Sequence, residues 1–196
     1  MMKFFLLTPL FLLIFSCSET TPIEASDSPT PDDLIEHTAE FKKEVIEVTN
    51  GVHVAIGYAL ANAILVEGEN SNIIIDTTGT IETAREVKAL FDEINSNPIE
   101  AIIYTHNHGD HTYGATVFAE DSDPEIYAHD STEEYLSRVI GTIRPIISAR
   151  SNRMFGNSLP KSEVENNGIG PFLEIGRDGR QTGLLYPTKT FSDKIK

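Results

Sequence analysis

Cysteine is nearly absent from this chain of 196 residues: Cys17 is the single one, so no intramolecular disulfide staples the fold. Basic clusters are missing too. Lys and Arg number 15 against 30 Asp and Glu, a formal charge of -15. Without a Lys/Arg patch the chain lacks what binding to nucleic-acid phosphates requires, so no nucleic-acid partner is expected. The acidic balance reads instead as solubility outside the cell. Nor is any apolar run long enough to cross a bilayer. The amino-terminal run from Phe4 to Phe15 is twelve residues, broken by Thr8 and Pro9, where a spanning helix needs about 20. Internal repeats are not apparent. The length suits one domain with a real core, since single domains cluster at roughly 100 to 150 residues.

What is present begins with an export signal at residues 1–16: Lys3, the apolar run, then small Ser16 before Cys17. Ile14-Phe15-Ser16-Cys17 resembles the lipobox of bacterial lipoproteins, although Phe15 is bulkier than that pattern usually has. The resemblance implies lipidation of Cys17, an exported membrane lipoprotein facing the periplasm or cell surface, and membrane contact through that anchor alone. A plain secretory signal or a buried thiol is the other reading. Residues 17–33 are rich in Ser, Thr, Pro and acids with almost nothing apolar to bury, the composition of a disordered acidic tether.

From residue 34 to 196 the texture is that of a folded α/β domain. Leu34, Ile35, Phe41, Val45 and Ile46 suggest a short amphipathic lead-in, and Asn50-Gly51 between β-rich stretches predicts a hairpin into a strand at Val52–Ile56. Asn62–Val66 and Asn72–Asp76 pair around the turn Glu67–Ser71. Ile81, Ala84, Val87, Leu90, Phe91 and Ile94 recur at helical spacing, with Glu82 in the first turn and Pro98 as the stop. Ile99–Tyr104 is then a strand, parallel to Asn72–Asp76 across the helical connection. Tyr113–Phe118 begins a helix, Glu125–Ala128 is a strand, and Ser131–Ile147 is a helix interrupted at Pro145.

The chemistry concentrates in Thr105-His106-Asn107-His108-Gly109-Asp110-His111, at the carboxyl end of that buried strand, where open α/β sheets bind ligands. Three imidazoles and a carboxylate are the nitrogen and oxygen donors that a borderline ion such as zinc accepts. His106 and His108, two residues apart, project to one side and can grip one ion. Asp110, which is also the candidate catalytic carboxylate, and His111 would serve a second. Two such ions share and polarise a water, supplying hydroxide near neutral pH without a nucleophilic side chain. Gly109 leaves room for the backbone to turn beneath the ions, or is an ordinary turn glycine.

With Ile73-Ile74-Ile75-Asp76-Thr77 upstream, the HxHxDH motif resembles the metallo-β-lactamase superfamily of metal-dependent hydrolases. Gly57-Tyr58-Ala59-Leu60-Ala61-Asn62, Ile81-Glu82-Thr83-Ala84-Arg85, Ala101–His106, and Arg150-Ser151-Asn152-Arg153-Met154-Phe155-Gly156 with Leu159-Pro160 are similar, in order, to stretches of its alkyl sulfatase branch. The likeness spans residues 45–192. It implies the αββα sandwich, two mixed sheets covered by helices, of which this chain carries the amino-terminal part. It also implies two zinc ions, a bridging hydroxide, and a small-molecule alkyl sulfate ester as substrate. By the same resemblance, His106 and His108 match ligands of the first metal and Asp110 and His111 those of the second. Asp76 matches a strand-end aspartate that supports the site from behind, while ordinary turn hydrogen bonding is the alternative. The full-length protein is expected to be a homodimer.

The chain departs from the pattern in having no histidine after His129, whereas the family's remaining ligands follow the stretch resembling residues 187–194. The expectation is therefore an incomplete domain with half a site, exposing a sheet edge and face. His129 matches no family ligand, and His37 and His53 are expected to carry no chemistry. Arg150 and Arg153 either meet a sulfate group, as guanidinium suits oxyanions, or form salt bridges within the fold. A lactonase, thioesterase or β-lactamase on the same scaffold, or a noncatalytic metal-binding lipoprotein, remains the alternative function.

Overall fold

Seven strands form one mixed sheet in which spatial order follows sequence order. The structure is a computed structural model, and it describes residues 32–160 and 163–195. The signal segment, Cys17 and the tether up to residue 31 lie outside the described residues. Asp32 and Asp33, assigned above to the tether, instead form the first turn of helix α1 (Asp32–Thr38), where carboxylates complement the helix dipole.

Strands β1 (Glu44–Thr49) and β2 (Val52–Ile56) form the hairpin that Asn50-Gly51 announces, with Gly51 at φ 74. Val45 and Ile46, assigned above to a short amphipathic lead-in, thus belong to β1. β3 (Ala63–Glu67) pairs antiparallel with β2, and β4 (Asn72–Ile75) antiparallel with β3. Helix α2 (Ile81–Ile94) then crosses to β5 (Ile99–Ile103), which lies parallel to β4. β6 (Glu125–His129) and β7 (Lys189–Phe191) continue the parallel half. The carboxyl ends of β4, β5 and β6 therefore share one edge of the sheet.

Helix α2 starts where the Thr80 hydroxyl accepts the Thr83 N–H. It stops at Asn95, before the proline. Asn95 is extended, its Oδ1 accepts the Asn97 N–H at 2.9 Å and its Nδ2 donates to Glu67 Oε2 at 2.8 Å. That same Glu67 takes the buried His53 Nε2 at 2.7 Å, so His53 has a structural partner. On α2, Ala84, Val87 and Phe91 join Leu65, Ile74, Ile102 and Ile126 in the core on one face of the sheet. Burying a side chain the size of Phe91 contributes about 1.5–3 kcal/mol.

The other face is built of side chains that stay half-exposed. Register aligns Val54, Ile64, Ile75, Ile103 and Tyr127 across five strands. Among the described residues there is one sheet with its helices, as an amino-terminal part of the αββα sandwich would have.

Beyond β5 the chain forms two short helices, α3 (Gly109–Thr112) and α4 (Ala115–Phe118), not one helix from Tyr113. Gly114 lies between them, and glycine is required there because a Cβ would lie 1.9 Å from the Thr77 carbonyl oxygen. After β6, α5 (Ser131–Ser137) runs through a π-helical segment, Arg138–Thr142, into a new helix α6 (Arg144–Met154). Pro145 opens α6 instead of interrupting a longer helix, since a proline in the first turn sacrifices no intrahelical bond.

Candidate metal centre

Parallel pairing of β4 with β5 puts Asp76 and Thr105 side by side just past the strand ends, the Asp76 N–H reaching the Ile103 carbonyl at 2.9 Å. Asp76 is buried and has φ 57; Thr78 follows at φ 64. Such left-handed backbone is tolerable for Asp but strained for a β-branched residue. It is held by bonds to the distant loop. The Thr77 N–H donates to the His111 carbonyl at 2.7 Å, and the Gly114 N–H to the Thr78 carbonyl at 3.2 Å.

The Asp76 carboxylate organises everything above it. Oδ1 accepts the Thr105 N–H at 2.9 Å, and Oδ2 accepts the Thr105 hydroxyl at 2.7 Å and His111 Nδ1 at 2.7 Å. The His106 ring stands 4.0 Å, centroid to centroid, from that of His111 and 4.6 Å from that of His108. Asp110 Oδ2 lies 3.6 Å from His111 Nε2. All four motif donors and Asp76 are thus brought together. Gly109 has a different reason from the one expected: a Cβ would lie 2.6 Å from the Tyr113 ring, so close packing, not a special turn, requires it.

Electrostatically the imidazoles diverge. Burial, followed by the neighbouring His111 and His108, holds the His106 pKa below its ordinary value. Burial pushes His111 down as well, but its hydrogen bond to Asp76 and the charges of Asp76 and Asp110 outweigh this and leave it raised.

The donor set fits a zinc-type ion in kind, with nitrogen and carboxylate oxygen donors and His111 Nδ1 fixed on a carboxylate so that Nε2 faces Asp110. Among the described residues no three His, Cys, Asp or Glu side chains are already arranged to hold an ion. Binding therefore calls for rotation of rings already in contact.

The remaining candidates stand apart. Arg150 and Arg153 are exposed on α6, which buries no side chain, and among the described residues neither forms an ion pair or bonds the histidine loop. His129 occupies both ring nitrogens, Nδ1 with Ser131 Oγ at 2.8 Å and Nε2 with the Ser192 carbonyl at 3.2 Å. His37, on α1, faces Glu40 at 3.1 Å. Sequence reasoning gave Thr105 no role; its position immediately before the first histidine was the available signal.

The profile of the metallo-beta-lactamase superfamily matches residues 57–187, which include Asp76 and the whole histidine loop. The chain belongs to the metallo-beta-lactamase superfamily. Within that superfamily it is similar to alkyl sulfatases. It is 31% identical over 138 residues to a linear primary-alkylsulfatase of a Pseudomonas species, covering 67% of this chain and 25% of that one. The fold matches that of the stereoselective inverting sec-alkylsulfatase Pisa1 from Pseudomonas sp. with a TM-score of 0.70 at 21% identity, over 85% of this chain and 28% of that chain. It is also 25% identical over 144 residues to an exodeoxyribonuclease of Streptococcus pneumoniae, covering 68% of this chain and 52% of the nuclease. The chain thus spans about a quarter of the length of the alkylsulfatase it matches.

Proposed function

We propose that this superfamily member is a zinc-dependent hydrolase of alkyl sulfate esters. The observation that carries the metal chemistry is the single carboxylate, Asp76, beneath a loop that clusters His106, His108, Asp110 and His111. A zinc ion bound there would supply a water acidified towards neutrality. The protein's own part is positional. Asp76 holds His111 by Nδ1, leaving Nε2 for the ion, and His106 and His108 present their rings from the same side of the loop. Asp110 adds an oxygen donor beside His111. Expected of the complete site are two ions, with further donors beyond the motif.

The choice of an alkyl sulfate rests on the likeness to alkylsulfatases. The recess that Asp110 borders is of mixed character, with Thr80, Thr83 and Glu174 beside Ala59, Leu60, Phe172, Leu173 and Ile175, and does not favour an alkyl chain. The nuclease relative favours a second reading, a phosphodiester substrate. The formal charge of -15 weighs against it, since nucleic-acid binding draws on basic surface. Arg150 and Arg153 remain proposed sulfate contacts on the resemblance alone.

The test is release of inorganic sulfate from dodecyl sulfate by the protein at its full coded length, with zinc supplied. Release that His108→Ala abolishes is expected. Turnover of a lactone, thioester, β-lactam or single-stranded DNA without sulfate release would assign the site to another substrate class.

A further inference from the structure

The hydroxyl of Thr105 sits between two groups of the site. It donates its one proton to Asp76 Oδ2 at 2.7 Å and lies 3.0 Å from His106 Nδ1. A hydroxyl has a single hydrogen and lone pairs to spare, and an ionised carboxylate is the stronger acceptor. Towards His106 the Thr105 oxygen is therefore an acceptor, and Nδ1 must carry the hydrogen. We propose that Thr105 is a positioning residue that relays the Asp76 carboxylate to His106, locking it as the Nδ1–H tautomer with the Nε2 lone pair free for a metal.

Asp76 then sets two imidazoles at once, His111 directly and His106 through Thr105. In their neutral forms both rings carry hydrogen on Nδ1 and leave Nε2 bare. The rings face each other at 4.0 Å, so the two bare nitrogens belong to one cluster. Thr105 is fixed independently of its hydroxyl, because its N–H donates to Asp76 Oδ1 at 2.9 Å. Removing the hydroxyl leaves that anchor in place. The metal consequence of this inference rests on the zinc-site reading above; the tautomer does not.

The experiment is nitrogen-15 NMR of the imidazoles in the metal-free 196-residue chain at about pH 8.5, where an ordinary imidazole is neutral, alongside zinc titrations. In the wild type, His106 is expected to show protonated Nδ1 and bare Nε2. Thr105→Val is expected to shift His106 towards protonated Nε2 and to weaken zinc binding on the order of 10-fold. Thr105→Ser is expected to keep both properties of the wild type. Protonated Nε2 on His106 in the wild type would overturn the proposal without recourse to any variant, and so would an unchanged tautomer in a folded Thr105→Val. If the tautomers behave as expected but the wild type binds no zinc, the relay stands and the metal-site reading falls.

Discussion

Asp76→Ala is expected to lower the stability of the metal-free chain by about 2–3 kcal/mol and its zinc affinity by about 10- to 100-fold. The carboxylate accepts three hydrogen bonds, two from Thr105 and one from His111. Bonds to a charged acceptor are worth roughly 1.5–3 kcal/mol each, but Thr105 is exposed and regains water, so the sum is discounted. Alanine at φ 57 adds a backbone cost that aspartate bears more easily. Asp76→Asn separates the contributions. It tolerates the left-handed backbone but offers one oxygen where the site uses two, so most of the stability should survive while zinc affinity still falls. Urea denaturation and zinc titration of the three proteins check this, and an Asp76→Ala protein as stable and as zinc-avid as the wild type would refute the role given to Asp76.

The same substitution has a pH signature. His111 binds its proton more tightly in the folded metal-free chain than in the unfolded one. Its pairing with Asp76 therefore contributes stability that is fully present below the ordinary histidine pKa and is lost as pH rises through the raised folded value. In Asp76→Ala this dependence should flatten across that window.

The second large effect is colloidal. The sheet face carrying Val54, Ile64, Ile75, Ile103 and Tyr127 is half-exposed, and Ile46 and Val48 on β1 are 39% and 59% exposed. Contiguous apolar surface of this kind binds partners or drives aggregation. The 196-residue chain is expected to bind the hydrophobic dye ANS and to self-associate in sedimentation runs. The double substitution Ile64→Lys with Ile103→Lys should reduce both by at least severalfold, since it places charges in the row without touching the opposite core. A monomeric wild type with a sharp, cooperative melt and no dye binding would contradict the exposed face.

Much of this was legible from local pattern. Apolar pattern found β2 to β6, Asn50-Gly51 found the hairpin, and the HxHxDH motif after an apolar strand pointed to the candidate site, while β1 was read in part as a lead-in and the short β7 was missed. What escaped depended on contacts distant in sequence. At the end of helix α2 the Asn95 side chain is held by Glu67, and between α3 and α4 the Thr77 backbone passes too close to Gly114 for a Cβ. Thr105 reads as an ordinary first residue of the histidine loop until β4 is laid beside β5 and Asp76 comes within reach of its hydroxyl. The helix at Arg144–Met154 was mispositioned for a local reason, since proline marks a start as readily as a break.

The most direct test of the central claim, that the Asp76-supported histidine loop is a metal centre, is the zinc retained per chain after exhaustive dialysis. Elemental analysis would compare the wild type with a His106→Ala, His108→Ala double variant shown by circular dichroism to be folded. The wild type should retain zinc and the variant should lose it. Equal retention by both, or none by the wild type, would contradict the claim.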